Sequence, residues 1–325
     1  MNTPPNNFKR VEPGKMRKFV SATFRKIGLR EDDSVLLGEL LVTNDLRGVF
    51  SHGTRQTQAY VHHFKEGHLN PQPNVEVISN DTVTMLIDGD GSLGYFASKK
   101  LADSLPEKAK EHGVAIGVTR NHGHFGAAGL YSRMITKHDL MAWVTSGVQL
   151  HLKPENNNLS AGGGSPHSFA VPAGNEPTFV VDFGAMNEVY GDIGEVLLNI
   201  APGLVFRSLG LGVVCQTFGG ILAGLPIDES KAQREWPGAN QGSFMLAVDI
   251  KRFIGLDVFK AQMDEYWTKA RKLKPLPGLL TSQLPGGPEA ERELLWAQEG
   301  IPVDEEHEAT LRDVANQIGT THPFD

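Results

Sequence analysis

A single cysteine, Cys215, in 325 residues rules out an internal disulfide framework and any thiolate-rich zinc or iron–sulfur site, and fits a reducing compartment. Positive charge is also in short supply. With 31 basic against 38 acidic residues the formal net charge is −7, which removes any general pull toward nucleic acid or an anionic membrane surface. Long apolar runs are scarce: residues 209–226 reach only the lower limit of a membrane span and contain five glycines together with Gln216 and Thr217. A Gly-rich helix buried in a core is the expectation there. Residues 1–18 are polar and lack the apolar centre of a secretory signal, so the chain is expected in the cytoplasm, with no membrane partner. Neither an internal repeat nor a low-complexity linker is found.

What the chain does have is an ordinary globular balance, 40% hydrophobic and 21% charged, over a length that suits one large or two ordinary domains. Leu36, Leu37, Leu40 and Leu41 recur at helical spacing and lead into Asn44-Asp45-Leu46-Arg47-Gly48. Ser51 is a good N-cap for a second helix, which carries Tyr60, Val61 and Phe64 before Gly67 and Asn70-Pro71 stop it. From residue 75 the pattern changes, with strands predicted at 83–87, 114–118, 140–145, 168–171, 179–181 and 244–248 and helices at 95–111 and 127–137. The tail returns to helices at 258–272, 289–299 and 308–318. The reading is an α/β domain over 76–254 and a helical lobe built from 1–75 plus 255–325.

Gly89, Gly91 and Gly94 have the G-x-G-x-x-G spacing between a strand and a helix. The dinucleotide fingerprint also needs an acidic residue at the end of the next strand, where this chain has Thr119-Arg120-Asn121-His122, so a tight turn at a helix start is the better reading. His52 stands between Ser51 and Gly53, with Arg47 upstream and Arg55 three residues on. An imidazole exchanges protons near neutral pH and a guanidinium fork matches a carboxylate, so the group reads as an acid beside a carboxylate binder, or as a surface helix start. His122 and His124 flank Gly123 between a strand and a helix, a common place for ligand chemistry, but no third and fourth ligand follows and no metal is expected. Gly162-Gly163-Gly164-Ser165-Pro166 is a backbone-rich loop able to present N–H groups to an anion. Asp182 closes an apolar strand, where it either orients a histidine or caps a turn.

Asp45-Leu46-Arg47-Gly48 with Ser51-His52-Gly53, then Tyr60-Val61 and Gly67-His68-Leu69-Asn70-Pro71, resembles the opening signature of the type-2 malate/L-lactate dehydrogenase family, which is distinct from the Rossmann-fold enzymes of similar name. The likeness continues in order through 88–94, 120–126, 164–166, 181–182, 220–224, 240–250 and 284–286. The resemblance implies a family-specific, non-Rossmann cofactor-binding domain with a mixed sheet, packed with helical segments from both chain ends. It implies an NAD(P)-dependent homodimer that interconverts 2-hydroxy and 2-oxo acids by hydride transfer. By the same likeness His52 and His124 are the acid/base residues. Asp182 joins them as a catalytic candidate from its strand-end position, and Arg55 and Arg47 are the candidate binders of a substrate carboxylate on charge and spacing, Arg55 favoured because it lies one predicted helical turn from His52. Gly164, Ser165, Pro166, Arg207, Pro285 and Gly286 fall at cofactor contacts.

The chain departs from the family pattern in four places. Gln56 stands where the family has its arginine, with Arg55 one position early; Val205-Phe206-Arg207-Ser208 replaces a Gly-Tyr-Lys-Gly segment; the Thr-Asn of the cofactor loop is Gly-Ser; and the segment after Asp182 is some 25 residues short of the family's. A divergent substrate follows, or a family member that binds a ligand without turning it over.

Overall fold

The computed structural model describes residues 4–191 and 193–325. The elements open with β1 (Lys9–Val11), α1 (Pro13–Lys26), α2 (Glu31–Leu46) and α3 (Thr57–Lys65). There follow β2 (Glu76–Asn80), β3 (Thr84–Asp88), α4 (Gly94–His112), β4 (Val114–His122), α5 (Ala128–Thr136), β5 (Leu140–Val148), β6 (Pro166–Val171) and β7 (Phe179–Gly184). Short helices α6 (Asn187–Tyr190) and α7 (Gly194–Ile200) lead to α8 (Pro202–Cys215), then β8 (Gln241–Asp249) and α9 (Leu256–Arg271). The chain finishes with α10 (Gly287–Glu299), β9 (Ile301–Val303) and α11 (Glu305–Ile318).

The chain folds as two compact units, residues 1–73 with 274–325, and residues 74–273. In the first, α1 packs on α2, with Gly38 lying against Ser21 and Arg17, and Phe19, Val20, Phe24, Leu37, Leu40 and Leu41 are all buried. This is the predicted leucine stripe at work. β1 pairs antiparallel with β9, joining segments almost three hundred positions apart. The helix expected from Ser51 begins only at Thr57. Gly53 is extended (φ −94°, ψ −149°), and the chain before Thr57 makes two 3-10 turns, Phe50–His52 and Thr54–Gln56, in place of a continuous helix.

The second unit is a seven-stranded sheet in the order β2-β3-β4-β8-β5-β6-β7. Only β3 and β4 run parallel; every other neighbour is antiparallel. One parallel pair cannot make a doubly wound dinucleotide fold, so the mixed sheet is the one expected. Pleating separates two faces. Gly117 lies under Leu101 of α4, while Val118 and Phe244 point the other way, into a cluster with Ala223, Trp143 and Phe218. Helix α9, read with the helical tail, belongs to this unit: Asp264 accepts the N–H groups of Gly174, Asn175 and Glu176, and Arg271 pairs with Glu176.

After α8 the helix widens into a π turn (Gln216–Ile221), in which the Leu222 N–H reaches back five residues to Thr217 O (3.0 Å). Its glycines meet the sheet backbone. A Cβ on Gly147 would strike the backbone of Gly220, and one on Gly219 the backbone of Gly147, so the close approach admits no side chain at either place. The expectation of a buried Gly-rich helix holds only for this inner edge. In α8 just Val205, Gly212 and Cys215 are buried, whereas Phe206 is 60% exposed, as is Ile200 at the end of α7, at 74%. By length and composition, residues 202–221 are also the one stretch among those described that is apolar enough to cross a membrane.

Candidate functional site

In the first unit the turn bearing His52 is fixed from the end of α2. The Asn44 amide donates to His52 O (2.7 Å). Asp45, fully buried, receives the Thr54 N–H on both carboxylate oxygens (3.2 Å each) and the Thr54 hydroxyl on Oδ2 (2.5 Å). A Cβ on Gly53 would collide with that carboxylate, which is why glycine follows the histidine. Phe50 stacks on Trp296 at 5.8 Å and anchors the other end of the turn. The His52 Nδ1 lies 2.9 Å from Ser51 Oγ, and burial holds the imidazole below its ordinary value. His52 is therefore neutral at pH 7.

The two expected substrate arginines are engaged. Arg47, 8% exposed, forms a bidentate pair with Glu293 (2.9 and 3.1 Å), so its fork is committed to α10. Arg55 pairs with Asp304, and its buried Nε has no partner. His52 and Arg55 sit in separate 3-10 turns and not on one helix. Pro285 is exposed and Gly286, at φ +95°, is the N-cap of α10.

In the second unit β4 ends on His122, and His124 follows in the connection to α5. His122 is fully buried; its Nδ1–H donates to Gly123 O (2.7 Å), so Nε2 accepts from Thr119 Oγ1 (2.7 Å), which in turn lies 2.6 Å from Ser243 Oγ. Burial pushes it down to about 4. It is a neutral structural residue with both nitrogens occupied, and offers no lone pair to a metal. His124 is half-buried. The three glycines of the fingerprint are explained by packing: Gly89 and Gly94 lie against His122, and Gly91 (φ +77°) under the indole of Trp236. Asp182 accepts the N–H of Gly129 (3.0 Å) in the first turn of α5, the capping role. Arg207 is exposed, with no ion pair among the described residues.

The loop 162–166 is shaped by Gly163 and Ser165, both at positive φ (+56° and +53°). Ser165 is fully buried, its carbonyl accepting from the Ala185 N–H and its hydroxyl from the Met186 N–H (2.9 Å each), so its side chain holds the chain beyond β7 and does not face a ligand. Pro166 O accepts from Thr145 Oγ1 and from Cys215, whose thiol burial pushes up to about 12; it is no nucleophile. A Cβ on Gly163 would hit the amide of Gln216, whereas one on Gly164 would meet nothing within 4 Å. Gln216, 4% exposed, accepts the Val148 N–H through Oε1 (3.1 Å), yet its buried Nε2 has no acceptor. An open backbone cradle beside an unpartnered amide donor fits NAD or NADP, whose carboxamide, ribose and phosphate oxygens all accept. Gln216 was missed by motif reasoning, although its signal was there: a polar residue inside an apolar run.

The fold is that of malate dehydrogenase from Pyrococcus horikoshii OT3 (TM-score 0.82, 24% identity, 99% of each chain) and of δ1-piperideine-2-carboxylate reductase from Pseudomonas syringae (TM-score 0.73, 17% identity, 95% of this chain and 99% of that one). Fold and sequence together define an oxidoreductase of 2-hydroxy acids with a nicotinamide cofactor. The chain belongs to the malate/L-lactate dehydrogenase family, whose model matches residues 11–197 and 192–312. Among its relatives, L-sulfolactate dehydrogenase of Methanocaldococcus jannaschii is 25% identical over 95% of this chain and 97% of that protein. Malate dehydrogenase of P. horikoshii is 26% identical over 96% of each.

Proposed function

We propose that the protein interconverts a small, malate- or lactate-like 2-hydroxy acid and its 2-oxo acid, with His52 as the acid/base residue. The carrying observation is a neutral imidazole carried on a clamped turn: a base in this state takes the hydroxyl proton of a hydroxy acid without first having to lose one. NAD or NADP supplies the hydride acceptor. Gly164 offers backbone to it and Pro166 shapes the cradle, with Arg207, Pro285 and Gly286 as further contacts. Arg55 is the favoured partner of the substrate carboxylate, its orphaned Nε being the donor available; Arg47 stays with Glu293. His124 is the reserve acid/base, and Asp182 supports it by fixing α5. The deciding test is NADH and NADPH oxidation with a panel of 2-oxo acids; nicotinamide binding without oxidation across the panel would reduce the protein to a ligand-binding family member.

The pH dependence has a fixed sign. Since burial lowers His52 below 6.5, its protonation weakens hydroxy-acid oxidation only below that pH, whereas 2-oxo acid reduction, which needs the imidazolium, gains over the same descent. Opposed limbs in the two directions check this. Parallel limbs below 6.5 would remove His52 from the proton transfer.

We also assign a cytoplasmic homodimer, joined through α7 and α8. Val196, Ile200, Leu204 and Phe206 are exposed there, and Arg207 is the sole charge in residues 202–221. Apolar area of that kind marks an interface. Phe206→Asp should convert the dimer to monomer in analytical ultracentrifugation; an unchanged sedimentation coefficient would move the interface elsewhere.

A further inference from the structure

We propose that Asp45 is a positioning residue for His52, its carboxylate wired through the Thr54 hydroxyl to His307 so that three segments together hold the turn carrying the imidazole. The inference rests on the reading of His52 as the acid/base. Its geometry is a continuous buried chain: Asp45 Oδ2 to Thr54 Oγ1 (2.5 Å), Thr54 Oγ1 to His307 Nε2 (3.0 Å), and the His307 backbone N–H to Asp304 Oδ1 (2.8 Å). Asp304 also holds Arg55, on the turn just after Thr54. The close approach at Gly53 and the Asn44 bond to His52 O place this chain directly against the histidine's own backbone.

One proton decides the direction of the chain. The Thr54 hydroxyl has a single hydrogen. When Asp45 is ionised that hydrogen points to the carboxylate, so His307 must donate from Nε2, which leaves its buried Nδ1 as a bare lone pair; Nδ1 indeed has no partner. When Asp45 is protonated it donates to Thr54, Thr54 donates to His307 Nε2, and the proton of His307 moves to Nδ1. The charge-assisted bonds to the Thr54 N–H and O–H, about twice as strong as neutral ones, are then lost and the turn loosens. The groups facing Asp45 are Arg55, His307 and, beyond them, Asp304. Burial raises Asp45 to about 7 against the Thr54 hydrogen bonds and the Arg55 charge, while burial and Arg55 lower His307 to about 4, so Asp45 is the member that titrates near neutrality.

The test is steady-state kinetics of full-length variants across pH, with NADH affinity measured alongside. Asp45→Asn should lower kcat about tenfold, leave the NADH Kd within about twofold, and abolish a limb near pH 7 while the His52 limb below 6.5 remains. Thr54→Val removes one donor to the carboxylate and should shift the neutral limb to higher pH; Thr54→Ser, which keeps the hydroxyl, should return it. This pair decides the matter even if Asp45→Asn folds poorly. Wild-type kcat and an unmoved profile in Asp45→Asn or Thr54→Val, alongside lost turnover in His52→Ala, would overturn the positioning role alone. Full turnover in His52→Ala would overturn the reading beneath it.

Discussion

His52→Ala is expected to lower turnover by about 10²–10⁴-fold, the usual size of a lost acid/base group. Structure explains why the loss should be chemical and not structural. The turn is held by the carbonyl of residue 52 and the N–H and hydroxyl of Thr54, none of which the substitution removes. Thermal unfolding should therefore stay close to wild type, and NADH affinity within a few-fold. Turnover within a few-fold of wild type would transfer the role to His124, for which His124→Ala is the matched comparison.

Gly164→Val should weaken NADH binding at least tenfold, about 1.4 kcal/mol or more, without lowering stability. Most glycines of this unit cannot take a side chain, because the space beside them is filled by backbone or by packed side chains such as Trp236, Leu101, Tyr95 and Gln216. Gly164 is different: a Cβ there meets nothing within 4 Å, so valine adds its bulk on the open side of the loop proposed to receive the cofactor. Fluorescence titration with NADH and NADPH, paired with a melting curve, separates the two effects. An unchanged Kd would take the loop out of the cofactor site.

The strand and helix alternation between Thr84 and Val148 is legible because sheet and helix faces leave different periods in the sequence. What escapes are features set by partners far along the chain. The three-residue strands β1 and β9 have no period of their own. Ser51 reads as a helix cap because nothing local says that Gly53 is extended and packed against the Asp45 carboxylate. His307, an ordinary histidine by its neighbours in sequence, becomes meaningful only once α11 brings it to Thr54. The motif around His52 is the most readable part of the candidate site, yet the part that Asn44, Asp45, Gly53 and Thr54 play in holding its backbone shows only in the folded turn. The misreading of α8 has another origin: apolar composition alone does not distinguish a helix buried all round from one buried along a single edge.

The pairing of β1 with β9 also bears on how the protein is made. Arg47, Thr54 and Arg55 emerge from the ribosome early, but their partners Glu293, His307 and Asp304 emerge near the end. At about 5–20 residues per second, translation separates Lys9 from its partner Val303 by roughly 15–60 s. The sheet, complete by Asp249, is free to form during that interval. The segment bearing His52 must wait, with Phe19, Phe24 and Phe64 emerging ahead of their last partners, so it is this lobe that nascent-chain chaperones would be called on to shield.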